Sequence, residues 1–325
     1  MIRNDLCYAI SAGRPMLIDP LKAKAFMDNA NLLLNSPDIA YYLSAWTDKY
    51  ESKANKQKKR PRAGNPWVEE DDNETNAGMD VDSFFSSAKN PEIKDGVGCI
   101  SVEGVIGKGL TKIERMLGCA DLKEIACTMD CWEKMDNVQE VVFKFDSGGG
   151  STSGLEEMAK KIRQYPKTTI AYCEGDCGSA AYWLASQCSR FYVTSSSSIG
   201  ACGIYLTLKN HDKKHQKEGI EIDIIKSGEY KAAGVENTGL SELQRQRLQD
   251  EVDELHRRFI RDIRSVRVFA SEDDLQGQSF YGDEAVRKGL ATNLVDGWKE
   301  VEQSIKMNRQ FKMDETVSRL LGNKF

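Results

Sequence analysis

The chain has 325 residues, 40% hydrophobic and 29% charged, which is enough apolar material for one large domain or two ordinary ones and excludes disorder throughout. The 50 acidic and 45 basic residues give a net charge of -5, a balance that argues against nucleic acid as the partner of the whole chain. No run of about 18 apolar residues occurs, so no membrane-spanning helix is expected. The N-terminal twenty residues, broken by Asp5 and Arg14, do not read as a secretory leader, and nine singly scattered cysteines read as reduced thiols in a cytosolic compartment.

Three zones follow one another along the chain. Residues 1–46 carry apolar residues at helical spacing around Pro20 to Met27 and Asn31 to Leu34, which predicts one or two short helices. Residues 47–92 place a basic block, KANKQKKRPR, before an acidic one, EEDDNETNAGMDVD, and predict a charged, solvated linker. Residues 93–300 change texture. GVGCISVEGVIG is a predicted strand, Ala120 to Met135 a helix, EVVFKF a strand ending in DSGGGSTSG, and Gly154 to Gln164 a helix. TTIAYC is a strand, SAAYWLAS a small-residue helix, RFYVT and GIYLTL strands, His211 to Lys217 a helix, and IEIDIIK a strand. Leu240 to Val266 is a long amphipathic helix, with one side packed on its own sheet or against another subunit. Residues 301–325 form a tail. Strands alternating with helices predict βαβ units and a largely parallel sheet.

Three segments carry candidate chemistry. Asp146-Ser147-Gly148-Gly149-Gly150 directly follows a strand. It is not a phosphate loop, because it lacks GxxxxGK[ST] and GxGxxG. A plain tight turn and an oxyanion hole of bare amides both fit it. Ser179, in Gly178-Ser179-Ala180-Ala181, stands where a helix begins. There it is either an ordinary N-cap or a nucleophile with room for a peptide beside it. A serine needs a base. Of the three histidines, His256 lies inside the long helix, and His211 and His215 share a helix face without an HExxH glutamate. IIKSGEYKAAG offers Lys226 and Lys231, and a lysine serves as base once burial disfavours its charged form. Cys119, Cys127 and Cys131 contain no CxxC pair, so no metal site is expected.

Taken together these segments resemble the signal peptide peptidase A family of serine peptidases, and within it the phage branch of head-maturation proteases. The resemblance covers about Gly96 to Trp298 in five elements in the family's order: GVGCISVEGVIG, FKFDSGGGSTSG, GDCGSAAYWLASQCSRFYVTSSSSIGACGIY, EGIEIDIIKSGEYKAAG and SFYGDEAVRKGLATNLVDG. It implies a ClpP/crotonase-like α/β fold, with repeated ββα units and a largely parallel sheet flanked by helices. It implies a Ser/Lys dyad, with Ser179 as nucleophile and Lys231 as general base. Gly149 and Ala180 become the oxyanion hole, and Gly148, Gly150 and Ser151 the edge that receives an extended substrate.

No metal or cofactor is implied. The implied partners are protein substrates (scaffold or capsid proteins) and further copies of the chain. No membrane or nucleic acid is implied. The implied setting is the host cytoplasm inside assembling proheads, with self-cleavage in the 47–92 linker. Two departures from the family stand out. Gly148 replaces a proline. Ala201, in Gly200-Ala201-Cys202-Gly203, replaces a serine whose hydroxyl helps orient the lysine, leaving Ser198, a neighbour or a water to take its place. An inactive peptide-binding assembly scaffold, a cellular peptidase degrading signal peptides, and an acyl-CoA enzyme are the alternatives.

Overall fold

The computed structural model describes residues 16–18 and 91–322, apart from 112–113, 116, 209–211, 222, 236–238 and 269–270. The expected N-terminal helices and nearly all of the charged linker therefore lie outside the described residues. Residues 16–18 form a strand, β1 (Met16–Ile18). After it come β2 (Glu92–Lys94), β3 (Val97–Gly107), β4 (Ala120–Asp121), α1 (Leu122–Glu133), β5 (Glu140–Ser151), α2 (Leu155–Arg163), β6 (Thr168–Gly178) and α3 (Ala180–Ser186). The remainder comprises β7 (Arg190–Val193), β8 (Ser198–Gly200), α4 (Asp212–Glu218), α5 (Glu242–Arg264), a 3₁₀ turn (Glu272–Leu275), β9 (Ser279–Tyr281), α6 (Gly282–Arg287), β10 (Asn293–Leu294) and α7 (Trp298–Gly322).

The main path of the sheet runs β10-β7-β6-β5-β3-β2, parallel from β10 to β3 and antiparallel only at β2. The expected α/β class with a largely parallel sheet is what the chain adopts. Each parallel step needs a crossover, and α1, α2 and α3 supply those after β3, β5 and β6.

Side chains alternate across a strand, so the central strands are apolar on both faces. Val141, Phe143 and Phe145 of β5 join Ala171 and Cys173 of β6 in one core cluster, covered by α1, α2, α3 and α5. Val142, Ile170, Tyr172 and Tyr192 point the other way and meet Val301 and Ile305 of α7. The helix that covers this second face runs unbroken from Trp298 to Gly322, so the boundary expected at residue 301 falls inside it. Its apolar residues four apart, Val301 and Ile305, need the sheet as a partner. Arg309 further clamps it to Glu140 at 3.1 Å.

Two expected strands are absent. Residues 203–208 hold only an isolated bridge at Tyr205, and among the described residues of 219–226 there is no strand. The apolar side chains there find no neighbouring strand to pack with: Ile220 is half-exposed and Ile225 fully so.

Candidate active site

The parallel strands β5 and β6 both end on one side of the sheet, where ligands of open α/β sheets usually bind. Their pairing loses register at that end. From Asp146 to Gly149, β5 advances three residues while β3 advances two, from Glu103 to Val105. From Phe145 to Ser147 it advances two while β6 advances four, from Cys173 to Cys177. Such bulges bend a strand and re-aim its backbone.

The glycine loop is built for close approach. Gly149 has φ +114°, a conformation that disfavours any side chain. A Cβ on Gly150 would lie 2.0 Å from the Ile106 carbonyl oxygen, so only glycine lets β3 come that near. Ser147, buried, donates from Oγ to the Gly104 carbonyl at 2.5 Å and accepts the Gly149 N–H at 3.1 Å. In this geometry the Gly149 amide is therefore held by Ser147. Asp146 Oδ1 accepts the Asp176 N–H at 3.2 Å and ties the loop to β6.

Ser179 occupies the N-cap position of α3 but does not act as a cap. Its side chain makes no cap hydrogen bond, and its backbone sits at φ 55°, ψ -115°. A non-glycine residue there stores strain of about 1–3 kcal/mol, tolerated only where the surroundings enforce it. The enforcement is visible. The Ser179 N–H donates to the Gly200 carbonyl at 2.7 Å, and its carbonyl accepts the Trp183 N–H at 2.9 Å. Every residue of α3 is buried. Its Tyr182 hydroxyl donates to the Leu290 carbonyl at 3.0 Å, and Trp183 Nε1 donates to Asp262 at 3.1 Å. Ser179 itself is 1% exposed, and its Oγ donates to the Gly203 carbonyl at a long 3.4 Å. The ordinary N-cap reading of this serine is thereby removed. Ala180 is the first residue of the helix, and the N–H of such a residue has no acceptor within its own helix.

Ala201 also has positive φ, 50°. Its Cβ is 3.5 Å from where a Cβ on Gly178 would stand, next to the serine in sequence. The Gly148 carbonyl oxygen is also 3.5 Å from that point. Both departures from the family pattern, Gly148 and Ala201, thus border Gly178.

His256 is committed elsewhere: its Nε2 lies 3.2 Å from the Cys202 carbonyl and 3.1 Å from the Leu275 carbonyl. Two carbonyl acceptors call for an N–H on that nitrogen, which leaves it no lone pair for a serine. The lysines are on the segment before α5. Lys226 Nζ donates to the Glu229 carbonyl at 3.2 Å, and Gln244, a member of the capping box of α5, donates to the same carbonyl at 2.8 Å. Lys231 stands in the turn that follows. Its side chain is exposed and has no ion pair or hydrogen-bond partner among the described residues. The single chain therefore brings Ser179, Gly148, Gly149, Gly150, Ser151 and Ala180 to one end of the sheet, and among the described residues no hydrogen bond joins Lys231 to Ser179.

One relationship escaped the sequence. β1 pairs antiparallel with the end of β5, with Met16 opposite Ser151, Leu17 opposite Gly150 and Ile18 opposite Gly149. A three-residue strand ahead of a helix-like pattern gives no usable signal.

Fold and site together define an α/β protein with a glycine loop and a strained, non-capping serine at the ends of adjacent parallel strands. Residues 161–312 match the model of peptidase family S49, a span that includes Ser179 and Lys231 but not the glycine loop. The chain is 26% identical over 227 residues to the head-tail preconnector protein GP5 of Enterobacteria phage P21, covering 67% of this chain and 45% of that one. It is 24% identical over 245 residues to the capsid assembly protease C of Escherichia phage lambda, covering 73% of this chain and 54% of that one. These are relatives of the phage branch that the sequence resembles. The chain spans about half the length of these curated relatives. Among solved structures, a mutant of a membrane-bound stomatin-specific protease in complex with a substrate peptide aligns at a TM-score of 0.35 and 15% identity, covering 66% of this chain and 79% of that one.

Proposed function

We propose that this chain is a serine endopeptidase working through a Ser179/Lys231 dyad. The observation that carries the reading is the Ser179 backbone: a buried serine in a strained conformation, making no cap, beside a glycine loop and inside the S49 match. Strain of this kind persists where function needs it.

The chemistry is acyl transfer. Neutral Lys231 takes the Ser179 hydroxyl proton as Oγ attacks a peptide carbonyl. The Ala180 N–H, and the Gly149 N–H once it exchanges Ser147 Oγ for the substrate, hold the resulting oxyanion. Lys231 then gives the proton to the leaving amine. Water attacks the acyl-enzyme, frees the new carboxyl end and restores Ser179. The substrate lies as an added strand along Gly148, Gly150 and Ser151.

Lys231 must leave solvent to act as this base. The segment that carries it exposes Ile220, Ile225, Tyr230 and Val235, an apolar surface that a further copy of the chain would cover. The reading therefore includes a homo-oligomer in which assembly buries the lysine and brings it to the serine. The names of the two phage relatives support scaffold and capsid proteins as substrates, processed in host cytoplasm inside proheads, with self-cleavage in the 47–92 linker. No helix among the described residues is long and apolar enough to cross a membrane. The test is incubation with capsid and scaffold precursors. Wild type trims them and its own N-terminal region, and Ser179→Ala and Lys231→Ala do neither. Intact precursors beside assembled wild type would refute the reading.

A second reading, an inactive peptide-binding assembly scaffold, is favoured by one pair of observations: the exposed Lys231 and the missing hydroxyl at Ala201. It predicts precursor binding without cleavage in wild type and Ser179→Ala alike.

A further inference from the structure

The edge of β5 that would receive a substrate is already taken by the chain itself. β5 has two edges. β3 follows one of them as far as Gly149 and Gly150, with Val105 opposite Gly149 and Ile106 opposite Gly150. β6 follows the other, but its last pair is Cys177 with Ser147, after which it leaves through Gly178 to Ser179. Past Ser147 that second edge is open, and the residue next to the opening is the proposed nucleophile. β1 pairs with Gly149, Gly150 and Ser151. Because β3 holds the first edge at Gly149 and Gly150, β1 occupies the second, in the row that β6 vacates.

Its direction is also that of an added peptide strand. β1 runs antiparallel to β5, passing Ser151 first and reaching Gly149 at Ile18. The chain thus travels toward the serine and sets Ile18 opposite the residue proposed as oxyanion donor.

We infer that residues 16–18 are an intramolecular occupant of the peptide-binding edge, which an external substrate must displace. The inference rests on the reading of that edge as the substrate site. A tethered strand acts at the high effective concentration of an intramolecular partner, so three residues suffice to compete with a free peptide. The edge requires only backbone donors and acceptors, which any extended segment offers.

The test is a binding measurement that needs no catalysis. A fluorescein-labelled peptide of residues 14–20, Arg-Pro-Met-Leu-Ile-Asp-Pro, is titrated by anisotropy against two full-length chains, Ser179→Ala and Ser179→Ala with Leu17→Pro. Proline at 17 removes the strand N–H and fixes φ. The peptide is expected to bind the Leu17→Pro chain about tenfold more tightly. Equal affinity for the two chains, or binding to neither, overturns the inference. A second measurement uses wild type alone. Under deuterium exchange, excess unlabelled peptide raises uptake at residues 16–18 while 149–151 stay protected. Unchanged uptake at 16–18 under saturating peptide overturns it as well. A serine-directed probe run on the parent wild type separates the two claims: labelled Ser179 with equal peptide affinities sinks the occupant and leaves the peptidase standing.

Discussion

Trp183 lies flat against Phe259, with ring centroids 4.6 Å apart and 11° between the planes. One ring belongs to the short helix that carries the serine at its head, the other to the long helix α5. Both residues are fully buried. The stack, with the Trp183 to Asp262 hydrogen bond, fixes α3 and thereby keeps Ser179 in a conformation it would not choose.

Phe259→Ala tests that link. Loss of a buried phenylalanine costs about 3–5 kcal/mol, and here it also unpins the helix behind the serine. The variant is expected to melt well below wild type. At temperatures where it stays folded, it is expected to label more slowly with a serine-directed probe. Unaltered labelling by a folded Phe259→Ala would detach the stack from the site.

Ser179→Gly separates strain from chemistry. Glycine adopts φ 55° freely, so the substitution is expected to stabilise the fold by about 1 kcal/mol, a rise in Tm of roughly 2–4 °C, while abolishing peptidase activity. Thermal denaturation and a protein-digestion assay read the two effects separately.

The two lysines are predicted to differ. Lys226 bonds the Glu229 carbonyl and holds a turn, whereas Lys231 is the proposed base. Lys231→Ala should lower kcat/KM by about 10²–10⁴-fold, and Lys226→Ala by far less. Ala201→Ser should raise kcat, because it restores a hydroxyl beside Gly178 where the family has one. Steady-state kinetics on the assembled protein checks all three.

The pH dependence of stability has an identifiable contributor in Glu156 on α2. Partial burial pushes its carboxyl up, but hydrogen bonds and charge from Arg261, at 2.7 Å, and Arg258, at 3.3 Å, outweigh this and hold it below its ordinary value. A carboxyl lowered on folding stabilises above its unfolded value of about 4.3, and the gain is lost as pH falls through the folded one. Glu156→Gln should therefore cost no more than about 1 kcal/mol at neutral pH, since all three partners face solvent, and the difference should fade in acid. Melting curves of both proteins across that range check it.

Much of this architecture was legible in the sequence because the central strands are apolar on both faces. Val141 to Phe145, Ile170 to Cys173 and Phe191 to Val193 can only be buried strands between helices. The short strands β8, β9 and β10 were not legible, since two or three residues carry no periodicity. IEIDIIK shows the opposite failure: its pattern is strand-like, but its described residues form no strand. At the site, small residues around Ser179 and the glycines at the end of β5 were readable. The backbone conformation that turns that serine from a cap into a candidate nucleophile is held by Gly200 and, through Trp183 one turn along the same helix, by Asp262, both far away in the chain. Lys231 was readable as a lysine near the right segment, but it is exposed in the single chain, and its burial belongs to the proposed assembly.

The most direct measurement is site mapping after treatment of the assembled protein with a fluorophosphonate probe. The probe should form one adduct, on the peptide containing Ser179, absent in Ser179→Ala and strongly reduced in Lys231→Ala. A native assembly that takes no label, or that labels equally after Ser179→Ala, would contradict the account.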